Sequence, residues 1–282
     1  MALRAGHGFE VDMREPGVAV ITFDEPERLN GMTMSLKRDL TETIHQAQAD
    51  DGVRVLLFTG TGRAFSAGDD MSGAYTSSDP DLVPPVPSGH HRPIGTVSSL
   101  RDVSQTLNLA VRNLDKLTVA AINGYAIQTG LSLALACDFR IAATDARLGS
   151  ATLRFGLLPD EGGHYLLVQH LGVARAIDFL MRKRIVTAAE ALELGLVHQV
   201  VEPGELLERA VELAQELADG PQVAMRLLKR SIYQAAELSF PQALEDIAVR
   251  TAISDHHPDA REGGLAFREK RKASFNRWLD GD

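Results

Sequence analysis

The stretch 123–141 constrains this 282-residue chain most: Asn-Gly-Tyr-Ala-Ile-Gln-Thr-Gly-Leu-Ser-Leu-Ala-Leu-Ala-Cys-Asp-Phe-Arg-Ile. The apolar run 118–122 reads as a strand entering it, and Asn123-Gly124 reads as a turn. Thr129-Gly130 is a second flexible point that opens a short helix over 131–136. That helix is apolar on every side and belongs in the interior. Its first N–H groups have no acceptor within the helix, and that end of the dipole favours negative charge. A buried helix start beside a glycine is either a plain core turn or a place for an anion or a developing oxyanion.

The chain around it reads as an α/β core followed by helices. Phe9, Val11 and Met13 alternate with Glu10, Asp12 and Arg14, and Pro16-Gly17 leads into the apolar run 18–23, a hairpin pattern. Thr33 or Ser35 can cap a helix with Leu36, Leu40, Ile44 and Ala47 on one face. A buried strand over 53–59 ends in the loop 60–70. Strand, helix and strand in this order imply a parallel crossover, with ligands expected at the carboxyl ends of the strands. Segment 75–96 contains Asp79-Pro80 and Pro84-Pro85-Val86-Pro87, which exclude helix and central strand and suit a lid or binding loop. His90, His91 and Arg92 close it, and the two histidines read as loop polar groups rather than metal ligands.

A helix follows over 97–114. Beyond the central stretch come a strand at 138–143, helices at 166–171 and 174–181 around Gly172, and a capping box at Thr187 and Glu190. An extended run over 196–201 precedes helices ending near 218 and 236, one starting at Ser239-Phe240-Pro241, and a basic helical tail over 261–279. The division is a core of 1–195 and a helical region of 196–282.

A net charge of -9 argues against nucleic acid and anionic membranes as partners, so an anionic ligand needs local basic residues. Cys137 is the single cysteine and reads as a buried core thiol. No apolar run reaches 18 residues and the first residues lack an apolar signal core, so a cytoplasmic setting is expected.

Four segments together resemble the enoyl-CoA hydratase/isomerase (crotonase) superfamily. They are Arg63-Ala64-Phe65-Ser66-Ala67-Gly68-Asp69-Asp70, the run 120–138, Gly156-Leu157-Leu158-Pro159-Asp160-Glu161-Gly162-Gly163, and 188–201 with Leu194-Gly195-Leu196-Val197. The tail from Glu262-Gly263-Gly264 to Arg271 also resembles the closing helix of that family. The resemblance implies a ββα spiral with two near-perpendicular sheets and a helical C-terminal region that assembles homotrimers, or hexamers as dimers of trimers. It implies an acyl-CoA substrate, with coenzyme A carried by the substrate and no separate cofactor or metal. It also implies an enolate held by two backbone N–H groups, which fall on Ala67 and Thr129. The family usually has Gly at the latter position, so a narrower and more polar entrance is expected. Arg28, Ala67, Gly68, Asp69 and Asp70 match its CoA-binding positions. Lys270, Arg271 and Lys272 could reach phosphates, from a neighbouring subunit if not their own, and Gly130, Tyr125 and Gln128 fall near the acyl group.

The same match places Ser132 and Thr152 where hydratases carry their two catalytic glutamates. Neither is a general base near neutral pH without an activating partner. The acidic pair Asp160-Glu161 stands where relatives that shift double bonds carry an acid. Asp160 matches that position most directly, and a one-residue slip would give Glu161. Both residues also suit the first turn of the following helix. Three functions follow: an enoyl-CoA isomerase that shifts a double bond with one acidic residue, a hydratase or related lyase or hydrolase, and an inactive CoA-ester or RNA-binding relative.

Overall fold

The computed structural model describes residues 3–70 and 93–280. Residues 75–92 of the Pro-rich segment, with His90, His91 and Arg92, lie outside them. Strands β1 (Phe9–Arg14) and β2 (Val18–Phe23) form the antiparallel hairpin that the alternation predicts. Helix α1 (Met34–Ala49) is capped by Thr33, whose Oγ1 accepts the Leu36 N–H at 3.1 Å. Then follow β3 (Val55–Gly60), β4 (Ala64–Ser66), α2 (Pro93–Ser99), a π-helical turn at Leu100–Ser104, and α3 (Gln105–Asn113). The helical run therefore starts at Pro93, earlier than position 97, because a proline fits the first turn of a helix.

The central stretch comprises β5 (Leu117–Ile122), β6 (Tyr125–Ile127) and α4 (Thr129–Ala136), and leads into β7 (Phe139–Ala143) and β8 (Arg147–Gly149). After them come α5 (Gly163–Met181), β9 (Ile185–Thr187), α6 (Ala188–Glu193) and β10 (Gln199–Val201). The last helices are α7 (Leu206–Asp219), α8 (Gln222–Ala235), α9 (Phe240–Asp255) and α10 (Pro258–Glu269).

The strands make two sheets, one ordered β1-β2-β3-β5-β7-β10 and one ordered β4-β6-β8-β9. Three times a strand of the first sheet runs on into a short strand of the second: β3 to β4, β5 to β6, β7 to β8. From β2 to β10 the first sheet is parallel. Both its faces are covered, which is why its strands read as unbroken apolar runs. Period two still sorts the side chains. Val18, Val20, Val55, Leu57, Val119 and Ala121 face Leu206, Ala210 and Ala214 of α7. Ala19, Ile21, Leu56, Phe58, Ala120 and Ile122 join the main core with α1, α3 and α4. The sheet and its α7 cover thus continue past residue 195.

Three features depart from the sequence pattern. The three-residue strands β4, β6, β8 and β9 went unseen, being too short to show alternation. Helix α4 begins at Thr129 rather than 131. The tail is not one helix to 279: Lys270 turns left-handed (φ 55°) and stops α10, and Arg271 folds back onto Glu262. Gly172 does break α5 (φ 73°, ψ 164°), a conformation open to glycine.

Candidate active site

Two loops meet at the start of α4. A Cβ on Gly130 would fall 2.3 Å from the Ser66 carbonyl oxygen, and one on Gly124 would fall 2.0 Å from that of Arg63. Gly68 adopts φ 98°, and a Cβ there would sit 3.0 Å from the Ile127 carbonyl. Only glycines let the backbones of 63–68 and 124–130 approach this closely. Between them Gln128 adopts φ 53°, ψ −113°, a conformation that strains any residue with a Cβ. Its side chain is tied at both ends. Nε2 donates to Glu161 Oε2 at 3.2 Å, and Oε1 accepts from the Ser150 hydroxyl at 3.2 Å.

Thr129 is buried, and its Oγ1 lies 2.6 Å from Glu161 Oε1 and 2.7 Å from Asp69 Oδ1. As the first residue of α4, its own N–H has no acceptor within the helix. The Thr129 side chain is turned onto the two acids, so the entrance is shaped by their contact with it. Lys37 of α1, fully buried, places Nζ 2.7 Å from the same Asp69 oxygen and donates to Ser104 Oγ at 3.1 Å. From α3, Asn108 Nδ2 donates to the Glu161 carbonyl and Gln105 Nε2 to the Asp160 carbonyl, each at 2.9 Å. The π-helical turn and α3 thus hold both the lysine and the acidic pair.

Burial, and then the negative charge of Asp69, push the Glu161 carboxyl up to about 7. Asp160 is half-buried and is raised for the same two leading reasons, the first of them burial. A carboxyl near 7 can act as acid or base at working pH. A cavity of about 390 Å³ opens beside the pair, walled by Leu109, Ala136, Leu166 and Tyr165, with Arg112 and His164 at its rim.

The other sequence candidates divide. Gly68, Asp69, Gly130 and Glu161 come together with Thr129. The Ala67 N–H, expected to be an oxyanion donor, is given to the Leu29 carbonyl at 3.0 Å, so in this state it has an acceptor already. Arg28 bridges Glu25 and Asp70, the latter at 3.0 Å, and so ties the loop to the turn before α1. Arg271 is held by Glu262 and Glu269, and Lys270 ends α10; neither contacts the acidic group in this chain. Tyr125 is 40% exposed and stays outside it. Ser132 is buried with Oγ 2.4 Å from where a Gly163 Cβ would be, so there is no space for a longer acid without displacing α5. Thr152 opens a 3-10 turn.

Sequence reasoning missed Lys37, Gln105 and Asn108. Lys37 did carry a signal: it stands three and seven residues before Leu40 and Ile44, on the buried stripe of α1. A lysine at a core position demands a buried partner.

A family model described as enoyl-CoA hydratase/isomerase matches residues 13–277. The 1,2-epoxyphenylacetyl-CoA isomerase of Escherichia coli (strain K12) is 34% identical over 264 residues, covering 93% of this chain and 95% of that protein. The short-chain-enoyl-CoA hydratase of Clostridium acetobutylicum is 31% identical over 262 residues, covering 92% and 94%. Among solved structures, an enoyl-CoA hydratase from Bacillus anthracis superposes with a TM-score of 0.86 at 30% identity, over 95% of this chain and 99% of that one.

Proposed function

The chain belongs to the enoyl-CoA hydratase/isomerase family, and within it we propose an acyl-CoA isomerase that shifts a double bond using the acidic pair Asp160 and Glu161. The observation that carries this reading is the seating of Glu161 against Thr129 at the start of α4, together with Ser132 packed against Gly163. Among the described residues, the acids at the helix start come from the loop before α5 and from Asp69. A thioester oxygen at that start would receive the Thr129 N–H. The Ala67 N–H would be the second donor once the oxygen displaced the Leu29 carbonyl, each such donor contributing about 3–4 kcal/mol to the transition state.

The two carboxyls suit different tasks. Asp160, facing the cavity, takes the proton from carbon, and the C–H electrons pass into the enolate. Glu161 delivers a proton to the other end of the allylic system. The proton gained by Asp160 then returns to its chain neighbour and resets the pair. The cavity beside them would take the acyl chain, with coenzyme A outside, carried as part of the substrate.

The test supplies purified protein with a 3-enoyl-CoA and, separately, a trans-2-enoyl-CoA. Double-bond shift without water addition supports the reading; rapid hydration of the 2-enoyl ester by the Asp160→Asn, Glu161→Gln double variant would end it. Exposed apolar side chains on α8 to α10, among them Ile232, Phe240, Val249 and Phe267, suit self-association. Helices α8 to α10 are accordingly assigned to assembly as a homotrimer or a dimer of trimers, which light scattering on the eluting protein would measure.

A further inference from the structure

The Thr129 hydroxyl stands between two carboxyl oxygens, 2.6 Å from Glu161 Oε1 and 2.7 Å from Asp69 Oδ1. A hydroxyl has one hydrogen to donate. Were both acids ionised, one of these short contacts would set lone pair against lone pair, so one acid must carry a proton and donate it to Oγ1. Lys37 Nζ, 2.7 Å from the same Asp69 oxygen, already supplies that oxygen with a donor, while burial and the neighbouring Asp69 push the Glu161 carboxyl up. The proton therefore resides on Glu161, and the chain runs Lys37 to Asp69, Thr129 to Asp69, Glu161 to Thr129.

We propose that the Thr129 side chain is a two-position hydrogen-bond switch that lets Glu161 give up and regain its proton without any heavy atom moving. While Glu161 is protonated, Thr129 donates to Asp69. When the Oε1–H bond breaks and the proton goes to the enolate carbon, whose electron pair forms the new C–H bond, the Thr129 hydroxyl rotates and donates to the new carboxylate. Asp69 then keeps Lys37 as its donor. No bond at Thr129 is broken, and Lys37 and Asp69 act only through their neighbours, as positioning residues. The inference rests on the isomerase reading for the destination of the proton, but not for the protonation of the resting protein.

Among the described residues, the charges facing Glu161 are Asp69 from the loop after β4, Lys37 from α1 and Asp160 from its own loop. From α3 it meets the neutral amide of Asn108. The assignment gives two substitutions of one ion pair opposite signs. Asp69→Asn removes a negative neighbour, and the titration of Glu161 moves to lower pH. Lys37→Met removes a positive one, and it moves to higher pH. Thr129→Val, which keeps shape and N–H but not the hydroxyl, also moves it to higher pH, and Thr129→Ser restores it.

The experiment is an infrared titration of the resting protein, following the carboxylic-acid carbonyl band that Glu161→Gln abolishes, with kcat and KM measured across pH on a 3-enoyl-CoA. Signed shifts as described support the switch, as does a fall of about ten- to a hundred-fold in kcat for Thr129→Val with KM little changed. If the Asp69→Asn and Lys37→Met midpoints move the same way, or neither moves, the switch is overturned. Lys37→Gln, which removes the same charge but keeps a donor for Ser104 and Asp69, replaces Lys37→Met if that variant does not fold. Signed shifts in a protein that turns over no enoyl ester would uphold the switch and sink the isomerase reading instead.

Discussion

Helix α4 has a buried polar cluster at each end. At its C-terminal end Asp138 Oδ2 accepts from the Thr118 N–H at 2.8 Å and the Thr118 hydroxyl at 2.9 Å, and pairs with Lys229 Nζ at 2.8 Å. Asp138 Oδ1 accepts from the Tyr233 hydroxyl at 2.5 Å. Burial first, and the Asp138 charge second, push that hydroxyl far above its ordinary value, so it stays a donor. Here one acid meets Lys229 and three hydrogen-bond donors, with the charge of Arg140 close by. At the N-terminal end, among the described residues, three acids, Asp69, Asp160 and Glu161, gather near the cation Lys37. The first cluster is balanced and has nothing to exchange. The second holds three carboxyls close together, two of them raised by burial and by the Asp69 charge, and such crowding is relieved by holding a proton. Stability favours balance; chemistry needs the imbalance.

The largest effects should separate the two ends by what they damage. Glu161→Gln should cost about 10²–10⁴ in kcat, the usual range for an acid–base group, while thermal unfolding shows a protein no less stable than the parent. Asp138→Ala should do the reverse. An uncompensated Lys229 would cost about 3–5 kcal/mol in denaturant unfolding, with turnover per folded molecule nearly kept. Loss of activity without loss of stability in Asp138→Ala would break the comparison.

Next comes pH. Glu161 is protonated in the fold up to about 7, against an ordinary value of 4.5. A raised folded value means that the folded state binds more protons between those limits, so its contribution is full below 4.5 and is lost as pH rises through 7. The amount is about 3 kcal/mol. Glu161→Gln should flatten this slope and be the more stable protein above pH 7, as unfolding midpoints across pH would measure.

Smallest is the strained residue between the loops. Gln128→Ala keeps the strain and loses the bonds to Glu161 and Ser150, for about 1–2 kcal/mol of unfolding free energy. Gln128→Gly loses the same bonds but accepts the backbone freely, and should fall within about 1 kcal/mol of the parent. Equal losses in the two would mean that the side chain, not the backbone conformation, dominates the site.

Much of this architecture was legible in the residues. Val18 to Phe23, the hairpin ahead of it and the run into Asn123-Gly124 carry period and turn signals strong enough to stand alone. The ordered motifs from Arg63 to Val201 led to the right family. The apolar helix after Gln128 announced a buried helix start, and Asp160-Glu161 stood out where small residues are common. The three-residue strands of the second sheet did not show, since a period of two needs more residues than they have. Arg271 reads as a candidate phosphate ligand, and within this chain it pairs with Glu262, a contact no spacing rule reveals.

By itself the sequence determined the apolar periodicity, the glycines that let two loops touch, and a lysine placed on a buried helical stripe. Those are local properties, set by side-chain chemistry and backbone freedom. Which carboxyl holds the proton is not local. It depends on Lys37, Asp69, Thr129 and Glu161, drawn from four separate segments, meeting within 3 Å of one another in sequence along one chain of contacts. Coulomb energy falls with distance and is strengthened by burial, so only the folded arrangement could decide it.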